Sequence, residues 1–275
     1  MMAIIYFSTI SFMNQIYFNF LQEHLEKQQD SIESYKIENI KVWLKKASSR
    51  HSSLIYLPLT WFSKIFGLGF LKPVPNCGGE ASIKCEVNRI QQLSQAGIHV
   101  PEILAYSSKG ILLKDAAKEN KPVLQLQAAL KQEASTEARL SLYADAIQKI
   151  QNIHNANCYL SEAFSRNILV DQDRNFSFID FETDPGEVLT LDECHARDWL
   201  CFIFSTASCF NEDEIDQVRY LLRDNLIKDQ KIYHTLCKVG RKIKWILKFK
   251  LEKLGSDGRR LNKCILLLAL LDQEK

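Results

Sequence analysis

From position 167 to position 180 the chain reads Asn167-Ile-Leu-Val-Asp171-Gln-Asp-Arg-Asn175-Phe-Ser-Phe-Ile-Asp180. Two apolar runs, Ile168–Val170 and Phe176–Ile179, enclose a polar segment, the pattern of short strands joined by a hairpin turn. Asn167 precedes one strand and Asp180 follows the other, so a hairpin sets an amide and a carboxylate side by side at one end of a small sheet. Such hard oxygen donors are what a Mg²⁺ carrying nucleotide phosphates takes. Glu182 and Asp184 follow closely and offer carboxylates for a second metal.

The rest of the chain supplies enough length for two lobes. At 275 residues it can hold one large domain or two around a cleft. A formal charge of +2 argues against strong nucleic-acid binding, and no recognised binding motif or base-stacking platform accompanies the basic stretches. The eight cysteines form no Cys-x-x-Cys pair and no zinc spacing, which points to free thiols in a reducing cytosol.

Residues 1–22 carry no charge, yet Asn14, Gln15 and Asn19 interrupt the apolar run, so a packed or membrane-surface helix fits better than a span. A start at Met13, leaving the first dozen residues as an extension, is the other reading. Ser31–Lys46 alternates like strands and ends in Val42-Trp-Leu-Lys45-Lys46. Segment 52–72, dense in aromatics, reads as an inserted helix or an interfacial element. Glu80–Ala96 is helical by its stripe of Ile83, Val87, Ile90 and Leu93, with Gly97 placed to end it and Glu86 near its middle. Ile111-Leu-Leu-Lys-Asp115 is a further strand. Ala134–His154 and Leu189–Phe204 follow as helices, and the last third is helical, in three helices. Within it, Lys238–Lys253 interleaves seven basic residues with Trp245, Phe249 and aliphatics. That spacing is a basic amphipathic helix, suited to an anionic membrane surface or to a core with a solvated basic face.

Taken together these motifs resemble the protein-kinase-like phosphotransferases. In them a loop Asn and a metal-binding Asp-Phe-Gly flank a hairpin, matched here by Asn167 and Asp180-Phe181. Counting back five positions from Asn167, as that motif requires, gives Glu162 where the family has its catalytic Asp. Leu160 stands in place of the motif's His, and Glu182 in place of Gly. Lys45 closes a β-rich run as the phosphate-binding Lys does, with Lys72 as a second candidate disfavoured by Pro73 and Pro75. No glycine-rich loop precedes Lys45. Gly97-Ile-His-Val-Pro101 and the Asp-Phe-Glu turn look most like bacterial lipopolysaccharide-core (Kdo/heptose) kinase-like proteins.

The resemblance implies an α+β, two-lobed fold with a small β-rich N-lobe and a larger helical C-lobe. Its divisions would be an extension at 1–30, an N-lobe at 31–115 and a C-lobe at 116–275. It implies ATP and Mg²⁺ as cofactors. Lys45, oriented by Glu86, would hold phosphates, and backbone around Leu113–Ala116, including Asp115, would meet the adenine edge. Asn167, Asp180 and Glu182 would hold metal, Glu162 would serve the acceptor hydroxyl, and Asp198 would brace the catalytic loop. The acceptor would be a sugar- or lipid-linked hydroxyl such as a lipopolysaccharide core component, and the location cytoplasmic or peripheral on an anionic inner membrane. No nucleic-acid partner is expected. A weak or inactive pseudokinase acting as a regulatory scaffold is the alternative, and a kinase of soluble aminoglycoside or choline type is a third.

Overall fold

The alternation in Ser31–Lys46 becomes two paired strands. β1 (Ile32–Ile37) runs antiparallel to β2 (Ile40–Lys46), with Ile32 opposite Lys45 and Ile37 opposite Ile40. Glu38 and Asn39 turn the chain with φ of 45° and 72°, the left-handed pair that a tight hairpin requires. β3 (Ile103–Ser107) and β4 (Gly110–Lys114) complete an antiparallel sheet in the order β1-β2-β4-β3. The computed structural model describes residues 2–48, 74, 76, 78–117, 121–249 and 251–273, with the side chains of 2–14, 252 and 254 left aside. Segment 52–72, with the alternative Lys72, lies outside the described residues.

One face of this sheet is closed by α1 (Met2–Lys27), whose Tyr17, Leu21 and Leu25 bury against Val42, Leu44, Ala105 and Leu112. Side chains alternate across a strand. With Leu44 turned to α1, Lys45 therefore points to the opposite face, toward α2 (Gly79–Gln95). α2 buries Ile83, Val87, Ile90 and Leu93, the stripe that its spacing gives. It ends where Gly97, at φ 76°, lets the Ile98 N–H reach back to the Leu93 carbonyl at 2.9 Å. Gly110 sits where β4 passes closest to α1: a Cβ there would lie 2.5 Å from Leu25 Cδ2 and 2.8 Å from the Lys45 carbonyl.

The chain divides into two compact units. The first gathers Met1–Ile55, Pro75–Lys121 and Ile179–Asp184, so the short segment after the hairpin belongs with the four-stranded sheet. The second holds Pro122–Phe178 and Pro185–Lys275. In it β5 (Val123–Gln125), β6 (Ile168–Asp171) and β7 (Phe176–Phe178) form a small antiparallel sheet, with Ile168 opposite Phe178. Asp171 fixes the β6–β7 turn by accepting backbone N–H groups of Asp173 and Asn175 at 2.9 and 2.8 Å.

Helices make up most of the other described residues of the second unit: α3 (Leu126–Gln132), α4 (Thr136–Asn155), α5 (Leu191–Thr206), α6 (Ile215–Leu226), α7 (Gln230–Ile243) and α8 (Gly255–Leu270). Ser135 caps α4 by accepting from the Ala138 N–H at 3.1 Å, and Thr190 with Glu193 forms a capping box at α5. Aromatic rings pack together within the largely aliphatic core of this unit. Tyr143 of α4 stacks on Phe202 of α5 with ring centroids 5.1 Å apart, and Phe210 meets Tyr143 edge-on. The molecule is thus mixed α+β, mostly helical with small antiparallel sheets. No described helix is long and apolar enough to cross a membrane.

One expected element is different. The pattern over Lys238–Lys253 predicts a continuous basic helix, but α7 stops at Ile243 and gives way to short 3-10 turns at Lys244–Lys248 and Leu251–Leu254. Val239, Gly240 and Ile243 are buried, whereas Trp245 and Phe249 are not. Packing therefore claims the apolar stripe only as far as Ile243, and none of Lys244–Lys248 is buried to hold the helix together.

Candidate functional site

Lys45 is the centre of a charge cluster inside the first unit. Its Nζ lies 3.0 Å from Glu86 Oε1 on α2, 3.0 Å from Asp180 Oδ1 and 2.8 Å from Glu182 Oε1. The α2 glutamate is fully buried while Asp180 remains open to solvent, so the cluster grades from a dry floor to a wet rim. Burial works against the ammonium, but the carboxylates of Glu86, Asp180 and Glu182 outweigh it and raise the Lys45 pKa. Lys45 therefore stays charged. Burial pushes the Glu86 carboxyl upward against the pull of Lys45, and its Oε2 has no partner among the described residues.

Asp180 and Glu182 reach this cluster through an unusual backbone. Asp180 has φ 73°, a left-handed conformation for a non-glycine residue, which concentrates at functional turns. Phe181 between them is fully buried, and its carbonyl accepts from Cys85 Sγ of α2. Glu182 is held from its other side by Asn76, whose Nδ2 donates to Oε2 at 3.1 Å. Asn76 Oδ1 in turn accepts from the Gly78 N–H at 2.9 Å.

Three carboxylates therefore surround one ammonium, and all the donors are hard oxygens. Among the described residues no group of His, Cys, Asp and Glu is assembled to hold a metal alone. A Mg²⁺ that arrives on a nucleotide needs only one or two carboxylates beside the phosphates. Asp180 and Glu182 fit that requirement, and the excess of carboxylate over ammonium suits an added cation.

Leu113 and Asp115 are committed to the sheet. Leu113 is buried on β4, opposite Trp43 of β2. The Lys114 N–H donates to the Glu102 carbonyl and the Asp115 N–H to the Lys41 carbonyl, both at 2.9 Å. The Asp115 carboxylate accepts from Trp43 Nε1 at 2.7 Å and pairs with Lys41 at 2.8 Å. Burial raises its pKa, but Lys41, the Ala117 N–H and the Trp43 indole together hold it below the ordinary carboxylate value. These groups close the strand end.

The second unit carries Glu162 and Asn167 on a loop braced from α5. Asp198, fully buried, accepts from the Leu160 N–H at 2.7 Å and lies 3.2 Å from His154 Nε2. The loop Ser161 adopts φ 70° beside it. Asn167 is buried and donates from Nδ2 to the Glu162 carbonyl at 3.2 Å, so its amide fixes the loop's shape. The Glu162 side chain pairs with Arg197 Nη2 at 3.0 Å.

Of the residues singled out from sequence, the structure gathers Lys45, Glu86, Asp180 and Glu182 in one cluster, and Glu162 with Asn167 in another. Asn76 and Arg197 are site residues that the sequence does not single out. Asn76 sits in Pro75-Asn76-Cys-Gly78-Gly79, a turn signature just ahead of α2 that marks it as a loop side chain. Arg197 stands beside Asp198, one position from a residue already expected to brace the loop. No protein-family model matches this chain, and none of the curated proteins does.

Proposed function

We propose that this chain is an ATP- and Mg²⁺-dependent phosphotransferase of the protein-kinase-like, two-lobed type, acting on a sugar- or lipid-linked hydroxyl such as a lipopolysaccharide core component. The observation that carries the reading is the Lys45–Glu86 pair at 3.0 Å with Asp180 on the same ammonium. A strand lysine paired to a helix glutamate, beside a metal-binding aspartate, is the arrangement a kinase needs for phosphate binding. The strand order supports it too, since β2 with its lysine lies beside β4, the strand that leads toward the second unit.

Each residue then has a role. Lys45 binds phosphate oxygens, and Glu86 keeps its ammonium charged and aimed. Asp180 and Glu182 would hold Mg²⁺, whose charge offsets the negative charge of the phosphates. Asn76 keeps Glu182 in place. Glu162, anchored by Arg197, receives or orients the acceptor hydroxyl, and phosphoryl transfer makes little demand for a strong base there. The location belonging to this reading is cytoplasmic, peripheral on an anionic membrane face.

A second reading is a weak or inactive pseudokinase that serves as a scaffold. The Glu162–Arg197 pair favours it, because the carboxylate is already engaged by a guanidinium on α5.

One pair of measurements separates the two. ATP with Mg²⁺ is expected to raise the melting temperature of the intact protein, and Asp180→Ala to abolish that rise. ATP turnover with extracted lipopolysaccharide is expected in the wild type and reduced in Glu162→Gln. A nucleotide shift without turnover selects the pseudokinase. No shift at all removes the nucleotide-binding basis of both.

A further inference from the structure

Where α7 ends, the chain turns a corner within the most basic stretch of its sequence. Ten of its 35 basic residues fall within 238–263, against the two acids Glu252 and Asp257. Trp245 and Phe249 stand out from this corner 48% and 58% exposed. Their rings meet edge to face, with centroids 5.6 Å apart and planes at 79°. Lys244, Lys248 and Lys253 beside them are also exposed.

The corner is held from behind. Gly240 of α7 packs so closely on α8 that a Cβ would lie 2.1 Å from the Leu268 carbonyl oxygen. Arg241 pairs with Asp272 just past the end of α8. Two large apolar rings are thus displayed on a firmly packed base, where burial within the unit would ordinarily have claimed them.

We propose that this corner is a docking wedge for an anionic lipid bilayer. Trp245 and Phe249 enter the boundary between headgroups and acyl chains, and Lys244, Lys248 and Lys253 meet the lipid phosphates. The charge is complementary to such a surface, and a local excess of cations in a chain of net charge +2 has to be placed rather than inherited from composition. Trp at an interface keeps its N–H wet and its ring apolar, while lysine stems lie along the surface with their ammonium groups in water. A nucleic acid suits the corner less well. Two rings at 79° offer no parallel platform for successive bases. The proposal does not depend on the phosphotransfer reading, because the rings and lysines act whatever the chemistry elsewhere.

The test is flotation of the full chain with phosphatidylcholine vesicles and with vesicles that also contain phosphatidylglycerol, at low salt. Binding is expected to the anionic vesicles only. Trp245→Ala/Phe249→Ala and Lys244→Glu/Lys248→Glu are each expected to weaken it roughly tenfold or more. Both pairs are exposed, and a melting temperature equal to that of wild type confirms that the fold is kept. Absence of flotation with anionic vesicles overturns the proposal. So does unchanged flotation in both variants, or tighter binding to single-stranded RNA than to the anionic vesicles at the same salt.

Discussion

Lys45 of β2 and Glu86 of α2 meet at 3.0 Å across 41 residues of sequence, and the carboxylate is closed to solvent. Removing one partner from such a pair leaves a buried charge without compensation, which costs about 3–5 kcal/mol. Lys45→Met is therefore expected to lower the unfolding free energy by about 3 kcal/mol in denaturant titration. Lys45→Met/Glu86→Gln is expected to recover at least half of that loss, because the orphaned carboxylate is gone. A single variant as stable as wild type would show that Glu86 does not depend on Lys45.

Arg197 anchors Glu162 at 3.0 Å. On the phosphotransfer reading, Arg197→Leu lets the Glu162 carboxylate drift, and displacement of a reacting group by about 1 Å costs roughly a hundredfold in rate. The expected result is a fall in kcat of that order with KM for ATP little changed, and partial recovery in Arg197→Lys. A rise in KM at constant kcat would place Arg197 in substrate binding instead.

Much of this arrangement can be read from local pattern. The hairpin, α2, α4 and α5 announce themselves through local pattern, and the end of α2 through a glycine at position 97, because each is decided within one or two turns of chain; the Ser135 and Thr190 caps come only with the structure. Lys45, Glu86 and Asp180 are legible as candidates through their places on those elements. Asn76 and Arg197 are not, since their partners Glu182 and Glu162 lie 106 and 35 residues away and no local rule links them. The break after Ile243 is hidden for a different reason. Neither proline nor glycine follows until Gly255, so only the loss of a buried face stops the helix. The role of α1 is likewise undecided by sequence, because an uncharged stretch reads the same whether it packs on a sheet or on a membrane.

His195 gives the fold a pH dependence with a definite sign. It is buried against His154, their rings stacked 4.0 Å apart, and its Nε2 donates to the Cys158 carbonyl at 2.9 Å. Burial, reinforced by His154 and only partly offset by the Cys158 carbonyl, Asp198 and Asp229, lowers its pKa to about 4. The unfolded chain, with an ordinary value near 6.5, binds a proton between those limits that the folded chain does not. The contribution of His195 to stability is thus fully present above about pH 6.5 and is lost as pH falls toward 4. Denaturant titrations across that window are expected to show a slope that His195→Gln flattens. An identical slope in the variant would assign the pH dependence to other groups.

Gly240 tests the packing that displays the Trp245 corner. What faces it is backbone, not a side-chain tip: an added Cβ would meet the Leu268 oxygen at 2.1 Å, the Leu268 carbonyl carbon at 2.5 Å and the Ala269 nitrogen at 2.9 Å. Backbone cannot swing aside as a flexible side chain can, so α7 and α8 must separate to admit the methyl. Overpacking of this kind costs about 1–3 kcal/mol, and the upper end applies where a helix has to move. Gly240→Ala is accordingly expected to lower the unfolding free energy by about 3 kcal/mol, although alanine is the better helix former by roughly 1 kcal/mol. An alanine variant that gains stability would mean that propensity wins and that the two helices do not touch as closely as their backbones indicate.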